Sequence, residues 1–299
     1  MSVQVANIAT FANTRGTASR RCFRTRPLSS SHSALTTTQQ LKSNDWRVKH
    51  STVERAFSMA VLAVSAGKED TACNPSPTVL STWKAAEAVA FDVDSTLCAD
   101  ESIDELASFL GCGQQIKELT SRAMGGSMKF EEALKLRLDL MQVSQADMRR
   151  FIDSHPPLLS PGIPELVGEL HAQGKSVFLV SGGFREIINP IAEILSIPRD
   201  NVFANTILYK EDGSYAGFDD TEFTSRSRGK PAALAAIKER HGIKSIVMVG
   251  DGATDLEARQ EGIADLFIGY GGVVTRESIA QAADWYVKDL DGLIAALRG

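Results

Sequence analysis

No acidic residue occurs before Asp45, and no apolar run in the chain approaches the ~20 residues that a bilayer span requires. The nearest candidate, Ala56 to Ala66 (AFSMAVLAVSA), is too short, and no other stretch offers a membrane segment. Cysteine is scarce too: four in 299 residues, with no CxxC pair and no histidine spacing suited to zinc. Cys22, Cys73, Cys98 and Cys112 therefore read as reduced bystander thiols. No repeat of 20 to 50 residues is visible, which excludes solenoids and propellers. Nor is there an excess of positive charge, since 32 Lys and Arg stand against 37 Asp and Glu for a net charge of −5. That balance gives no general electrostatic reason to bind nucleic acid. With 43% apolar and 23% charged residues, collagen-like, coiled-coil and wholly disordered readings are excluded as well.

The average charge hides an asymmetry. Residues 1–66 carry nine basic residues and only two acids, Asp45 and Glu54, leaving a net charge of −12 for the remainder. Arginine-rich, hydroxylated and acid-poor segments such as this one (SSSHSALTTT) have the composition of organelle transit peptides, the plainer reading being a disordered tail. Its length and its serine and threonine content favour a plastid, with its stroma as destination, over a mitochondrion. Small residues from Val64 to Gly67 mark a processing region. Residues 67–84 read as a linker and an N-terminal helix.

Beyond Thr78, short apolar runs alternate with amphipathic stretches. Strand-length runs lie at Ala88 to Val93, Ser176 to Val180, Ser245 to Val249, Asp265 to Ile268 and Trp285 to Val287. Each is nearly continuous, as in strands covered on both faces. Helical patterns fall between the later runs, at Ile163 to Gln173, Arg185 to Leu195, Ala232 to His241 and Thr254 to Glu261. The alternation predicts an α/β fold: a Rossmann-like parallel sheet flanked by helices, over 85–99 and 161–299. Residues 100–160 interrupt it with helix after helix and no strand candidate, which predicts a small inserted helical cap. Ligands of open parallel sheets sit beyond the carboxyl ends of the strands, so such an insertion would stand over the site.

Three run ends carry chemistry. The first ends in FDVDST, where Asp92 and Asp94 alternate; on an extended strand both carboxylates point the same way, and crowded like charges call for a cation such as Mg²⁺. The second ends in Ser181-Gly182-Gly183, a hydroxyl and backbone N–H groups expected at a helix start, where an anion could be held. The third ends in GDGATD, with Asp251, Thr254 and Asp255, and is preceded by Lys230 in Gly229-Lys230-Pro231. Singly, each has a plain explanation as a turn, a cap or a surface charge. Their order and their positions at the ends of strands expected to be neighbours make the set specific.

These motifs, in this order, resemble the haloacid dehalogenase superfamily of aspartyl-phosphate phosphohydrolases. FDVDSTLCADESIDELA, RAMGG, SGGFREI, NVFAN, YAGFDDTE and MVGDGATDLEA resemble its phosphoserine phosphatase family over most of the chain from Thr78. The resemblance implies a Mg²⁺-dependent hydrolase of O-phospho-L-serine acting at the end of L-serine biosynthesis, with Asp92 as nucleophile and Asp94 as acid and base. It implies Mg²⁺ held by Asp92, Asp251 and the main-chain carbonyl of Asp94, with Asp255 in or beside the metal site. Ser181, Gly182, Lys230 and Thr254 would meet the phosphate or substrate, Glu101 the ammonium and Arg137 the carboxylate, and Met124 and Gly125 would belong to the closing cap. Monomer and homodimer both remain open. A phosphatase for another small phosphomonoester would share most of these residues, as would a related phosphotransferase or a non-catalytic phospho-amino-acid sensor. The chain departs from the family pattern twice: TSRSRGKP (Thr224 to Pro231) is more basic than the expected glycine-rich loop, and Ser102 stands where glycine is common.

Overall fold

The computed structural model describes residues 75–299 except 125–127. The expectations for the leader, for Cys22 and Cys73, and for Met124 and Gly125 as ligand contacts lie outside what it describes. Helix α1 (Pro77–Ala85), capped by the Ser76 hydroxyl, leads into strand β1 (Ala88–Phe91). Four helices follow before the chain returns to the sheet: α2 (Ser102–Phe109), α3 (Gly113–Met124), α4 (Phe130–Met141) and α5 (Gln145–Ser154). Helix α6 (Ile163–Ala172), β2 (Ser176–Phe184), α7 (Arg185–Ile194) and β3 (Val202–Asn205) resume the alternation. A hairpin of β4 (Ile207–Tyr209) and β5 (Tyr215–Phe218) precedes α8 (Gly229–His241), β6 (Ile246–Gly250), α9 (Ala253–Gln260), β7 (Leu266–Tyr270), α10 (Glu277–Ala282), β8 (Trp285–Val287) and α11 (Asp291–Arg298).

Six strands pair in parallel in the order β3-β2-β1-β6-β7-β8. The alternation of side chains along each strand feeds two cores, because successive residues face opposite sides of a sheet. Val89, Phe91, Leu179 and Val249 pack in one layer with Trp83, Leu166, Ile188 and Leu293 from α1, α6, α7 and α11. Ala88, Ala90, Phe178 and Met248 pack on the other side with Leu234 and Ile237 of α8, Ala258 of α9 and Ile279 of α10. Both faces are thus sealed, as the unbroken apolar runs predict. Among the described residues no helix is long and apolar enough to cross a membrane, and Cys98 and Cys112 are unpaired thiols.

The four inserted helices bury a third cluster of their own, including Leu106, Ile116, Leu134, Leu138 and Phe151. It also recruits Ile207 and Tyr215 of the β4–β5 hairpin, a pair of strands absent from the sequence reading. The two chain crossings between this module and the sheet run side by side: Ala99 N–H donates to the Leu158 carbonyl at 2.8 Å and Ser160 N–H to that of Leu97 at 2.9 Å. Two other expectations change. Strand β1 ends at Phe91, not Val93, because Val93–Leu97 wind into one wide turn closed by Cys98 N–H on the Val93 carbonyl at 2.8 Å. Ser181-Gly182-Gly183 lie inside β2 rather than at a helix start, in the irregular stretch where its register against β3 shifts.

Trp83 is fully buried, and its indole Nε1–H donates to the Leu293 carbonyl at 3.1 Å, fastening the first described helix to the last. Trp83→Phe should cost about 1–2 kcal/mol by removing that hydrogen bond, and Trp83→Ala about 3–5 kcal/mol by adding a cavity. Urea unfolding checks both, and a Trp83→Phe variant as stable as the parent would contradict the hydrogen-bond assignment.

Candidate active site

The site lies at the carboxyl ends of β1, β2 and β6, three adjacent strands, in a cavity of about 300 Å³. Asp92, Asp94, Glu101, Gly182, Lys230, Asp251 and Thr254 all line it, so most of the residues singled out by the sequence meet there. Asp92 directly follows β1. Its Oδ1 accepts from Val93 N–H at 2.8 Å and pairs with Lys230 Nζ at 2.8 Å. The wide turn then reverses through Ser95, in the left-handed region at φ 54°, and returns Asp94 to the same cavity. Asp94 Oδ1 accepts from the Ser102 N–H at 2.9 Å, at the start of the first inserted helix. The two carboxylates therefore share a cavity through a turn rather than through strand alternation.

Lys230 is the cation at the centre. It sits in the first turn of α8, 7% exposed, and bonds Asp255 Oδ1 at 2.6 Å as well as Asp92. Burial would lower its pKa, but the charges of Asp255 and Asp92 outweigh it and hold the ammonium above its ordinary value. Two glycines make this packing possible. A Cβ on Gly229 would overlap the backbone of Phe223 and Thr224, and one on Gly250 would overlap the Asp255 carboxyl. Asp255 is fully buried, with its other oxygen accepting from Gly252 N–H at 3.0 Å.

One oxygen each of Asp92, Asp251 and Asp255 lie within 4.8 Å of one another. An all-carboxylate donor set suits a hard divalent ion, as Mg²⁺ is. The protonation balance agrees. Burial first, then the charge of Asp92, pushes the Asp94 carboxyl up to about 7. Burial also raises Asp92, aided by Asp251 and opposed by Lys230, and lifts Asp255 to about 7. Acids outnumber the buried ammonium, so a further positive charge would relieve the cluster.

The remaining candidates are placed as follows. Ser181 is buried, and its Oγ accepts from Gly183 N–H at 2.9 Å. Glu101 accepts from the Ser95 hydroxyl at 2.7 Å, and burial first, then the Asp251 and Asp92 charges, raises its carboxyl. Arg137 is half-buried on α4; its Nε donates to the Ala133 carbonyl at 3.3 Å, and it feels the charges of Asp104, Glu101 and Asp94. Its neighbour Asp139 pairs with Lys135 instead. Glu101 lines the cavity, whereas Arg137 is not among its lining residues and is linked to it only through the charges of Glu101 and Asp94.

Sequence reasoning missed Arg276, Thr96 and Asn205. Arg276 forks onto Asp251 Oδ2 through Nη2 at 2.7 Å and Nε at 3.0 Å, yet lies 25 residues away without a motif around it. Thr96 donates to Asp251 Oδ1 at 3.3 Å, and the ST of DxDST was the available signal. Asn205 is fully buried and joins two parts of the site: its Nδ2 donates to the Gly182 carbonyl at 2.8 Å, and its Oδ1 accepts from Thr224 at 3.1 Å.

Residues 86–262 match the family model described as haloacid dehalogenase-like hydrolase. A chloroplastic phosphoserine phosphatase of Arabidopsis thaliana is 53% identical over 223 residues, 75% of this chain and 76% of that protein. A solved structure described as a phospho-aspartyl intermediate analogue of phosphoserine phosphatase aligns with a TM-score of 0.57 at 28% identity, over 68% of this chain and 94% of that one. DsGPDH of Dunaliella salina aligns with a TM-score of 0.67 at 40% identity over 75% of this chain, which spans only 38% of that longer one. On the family match and the identity to the Arabidopsis protein, the chain belongs to the haloacid dehalogenase-like hydrolases.

Proposed function

We propose that the chain hydrolyses O-phospho-L-serine to L-serine and phosphate through an aspartyl-phosphate on Asp92, the final step of a serine-forming route. The observation that carries this reading is the shared cavity of Asp92, Asp94, Lys230 and Glu101, in a chain 53% identical to a phosphoserine phosphatase. An Asp92 oxygen attacks phosphorus, and the bond to the seryl oxygen breaks as that oxygen takes the Asp94 proton. Asp94 then removes a proton from water, which attacks phosphorus and releases Asp92. A carboxyl pushed up to about 7 suits a group that must both give and take that proton. Lys230, Ser181, the Gly182 backbone and Thr254 offset charge on the phosphoryl oxygens. Mg²⁺, held by Asp92, Asp251 and the Asp94 carbonyl with Asp255 beside it, would supply Lewis-acid countercharge for the phosphoryl group.

Selectivity falls to Glu101 and Arg137, the first for the substrate ammonium and the second, an Arg fork, for its carboxylate. The inserted module, residues 100–160, acts as a cap that excludes water from the closed site. We further assign residues 1–66 as a plastid transit peptide, in keeping with their acid-poor composition and with the chloroplastic relative.

Phosphate release from L-phosphoserine, phosphothreonine and sugar phosphates, with Mg²⁺ or with EDTA, tests the reading directly; activity on the others without phosphoserine would overturn the substrate. Asp92→Asn should cut turnover about a thousandfold or more while keeping the circular dichroism spectrum. Glu101→Gln and Arg137→Ala should lower kcat/KM for phosphoserine about tenfold or more beyond any loss on p-nitrophenyl phosphate; equal losses on the two esters would contradict their roles.

Stability should also report the carboxylate cluster. Asp94 and Asp255 rise from 3.8 to about 7 on folding, so the folded protein binds more protons than the unfolded chain between those values. Their contribution is present below about pH 4 and lost as pH rises through about 7. In EDTA the Tm should therefore fall from pH 5 to pH 8, and millimolar Mg²⁺ should flatten that fall. A Tm that climbs over the same range in EDTA would contradict the cluster's electrostatics.

A further inference from the structure

The loop that delivers Lys230 carries Arg226, Ser227 and Arg228, all exposed, where the family resemblance leads one to expect glycines. Arg228 occupies the left-handed region at φ 59°, a conformation that disfavours a side chain bearing a Cβ, so something must hold it there. Two acids from different parts of the molecule do. Arg228 Nε bonds Glu261 Oε1 at 2.7 Å, just beyond α9, the helix that carries Asp255. Immediately before it, Ser227 donates twice to Glu131 Oε2, through its hydroxyl at 3.0 Å and its backbone N–H at 3.3 Å.

Glu131 belongs to neither the sheet nor the loop. It lies in the first turn of α4, one residue after Phe130, which lines the active-site cavity and whose ring lies 3.4 Å from where a Gly182 Cβ would sit. The carboxyl of Glu131 is held below its ordinary value, first by its own backbone N–H and then, against slight desolvation, by the two Ser227 donors. The acceptor is thus ionised and doubly engaged. The geometry points to Glu131 as a positioning residue that couples the inserted helices to catalysis: through Ser227 it fixes the loop that presents Lys230, three residues further on, to the phosphoryl group. It makes no contact with Lys230 itself. With the bond made, the loop is clamped between α4 and Glu261, and both Lys230 and the Phe130 side of the cavity are in place. With it broken, Ser227 and Arg228 are tied on the Glu261 side alone, and the loop and the inserted helices move independently.

This assignment rests on the proposed phosphatase reading for its kinetic arm, but not for its structural one. The two full-chain readouts are the rate of trypsin cleavage after Arg226 and Arg228, followed by mass spectrometry without ligand, and KM and kcat for phosphoserine. Glu131→Ala should raise loop cleavage about fivefold or more at unchanged Tm, and raise KM about three- to tenfold with kcat within about twofold. Glu131→Gln, whose amide oxygen still accepts both Ser227 donors, should restore both values, and Ser227→Ala, which retains the N–H donor, should fall between. Unchanged cleavage in Glu131→Ala, faster cleavage without a change in KM, or a Gln variant as impaired as the Ala variant would each overturn the coupling. Should phosphoserine not be turned over, the KM arm is read on p-nitrophenyl phosphate and the cleavage arm is unaffected.

Discussion

One ammonium among three carboxylates governs the architecture of the site. Lys230 touches Asp92 and Asp255, and Asp251 stands beside them, so its burial is tolerable only because both contacts are short and anionic. Much of the surrounding backbone is explicable as what that arrangement requires. Gly250 clears room for Asp255, Gly229 lets the lysine turn press against Phe223 and Thr224, and β1 stops at Phe91 so that Asp92 can lean toward α8. Buried ion pairs are weak sources of stability, and well-packed apolar residues of similar volume often serve a core as well or better. What the cluster offers instead is chemistry: three carboxylates gathered within 4.8 Å make a donor set that suits a divalent ion.

The same economy explains what could be read from the sequence. Asp92, Asp94, Asp251 and Asp255 were legible because they follow strand ends, where apolar runs stop abruptly at charged residues, and Lys230 because it stands in a Gly-Lys-Pro step at the start of a helix. The sheet was legible because its strands are covered on both faces, so their side chains are apolar without interruption. The helical insertion was equally visible through its long amphipathic stretches. The limits were physical as well. The β4–β5 hairpin escaped because its strands span only three and four residues and present one apolar side to the inserted helices. Arg276 escaped because its partner Asp251 is remote in the chain and a lone arginine carries no periodic signal. The wide turn after β1 escaped because Asp-Val-Asp alternation reads equally well as strand.

Asn205 illustrates a different kind of invisibility. Its neighbours Val202, Phe203 and Ala204 mark an ordinary buried strand, and the asparagine at its end looks like a turn signal. In the folded protein it is a fully enclosed amide with a donor spent on β2 and an acceptor spent on the Thr224 turn. A buried amide of this kind fixes the spacing of a strand and a turn more stringently than apolar contact, since a displaced partner leaves an unpaired polar group.

The inserted helices are joined to the sheet by more than a pair of crossings. Strands β4 and β5 leave the main fold after Asn205, share the helices' hydrophobic cluster, and bind α5 through Gln145 N–H on the Gly213 carbonyl at 2.9 Å before returning at Asp219. A body attached along two adjacent crossings could swing like a door; one attached at a third, separate place can only rock. Any rotation of the inserted helices about their two crossings therefore has to carry the hairpin with it, against the Asp219 N–H bond to the Thr206 carbonyl at 2.9 Å that anchors the hairpin's base.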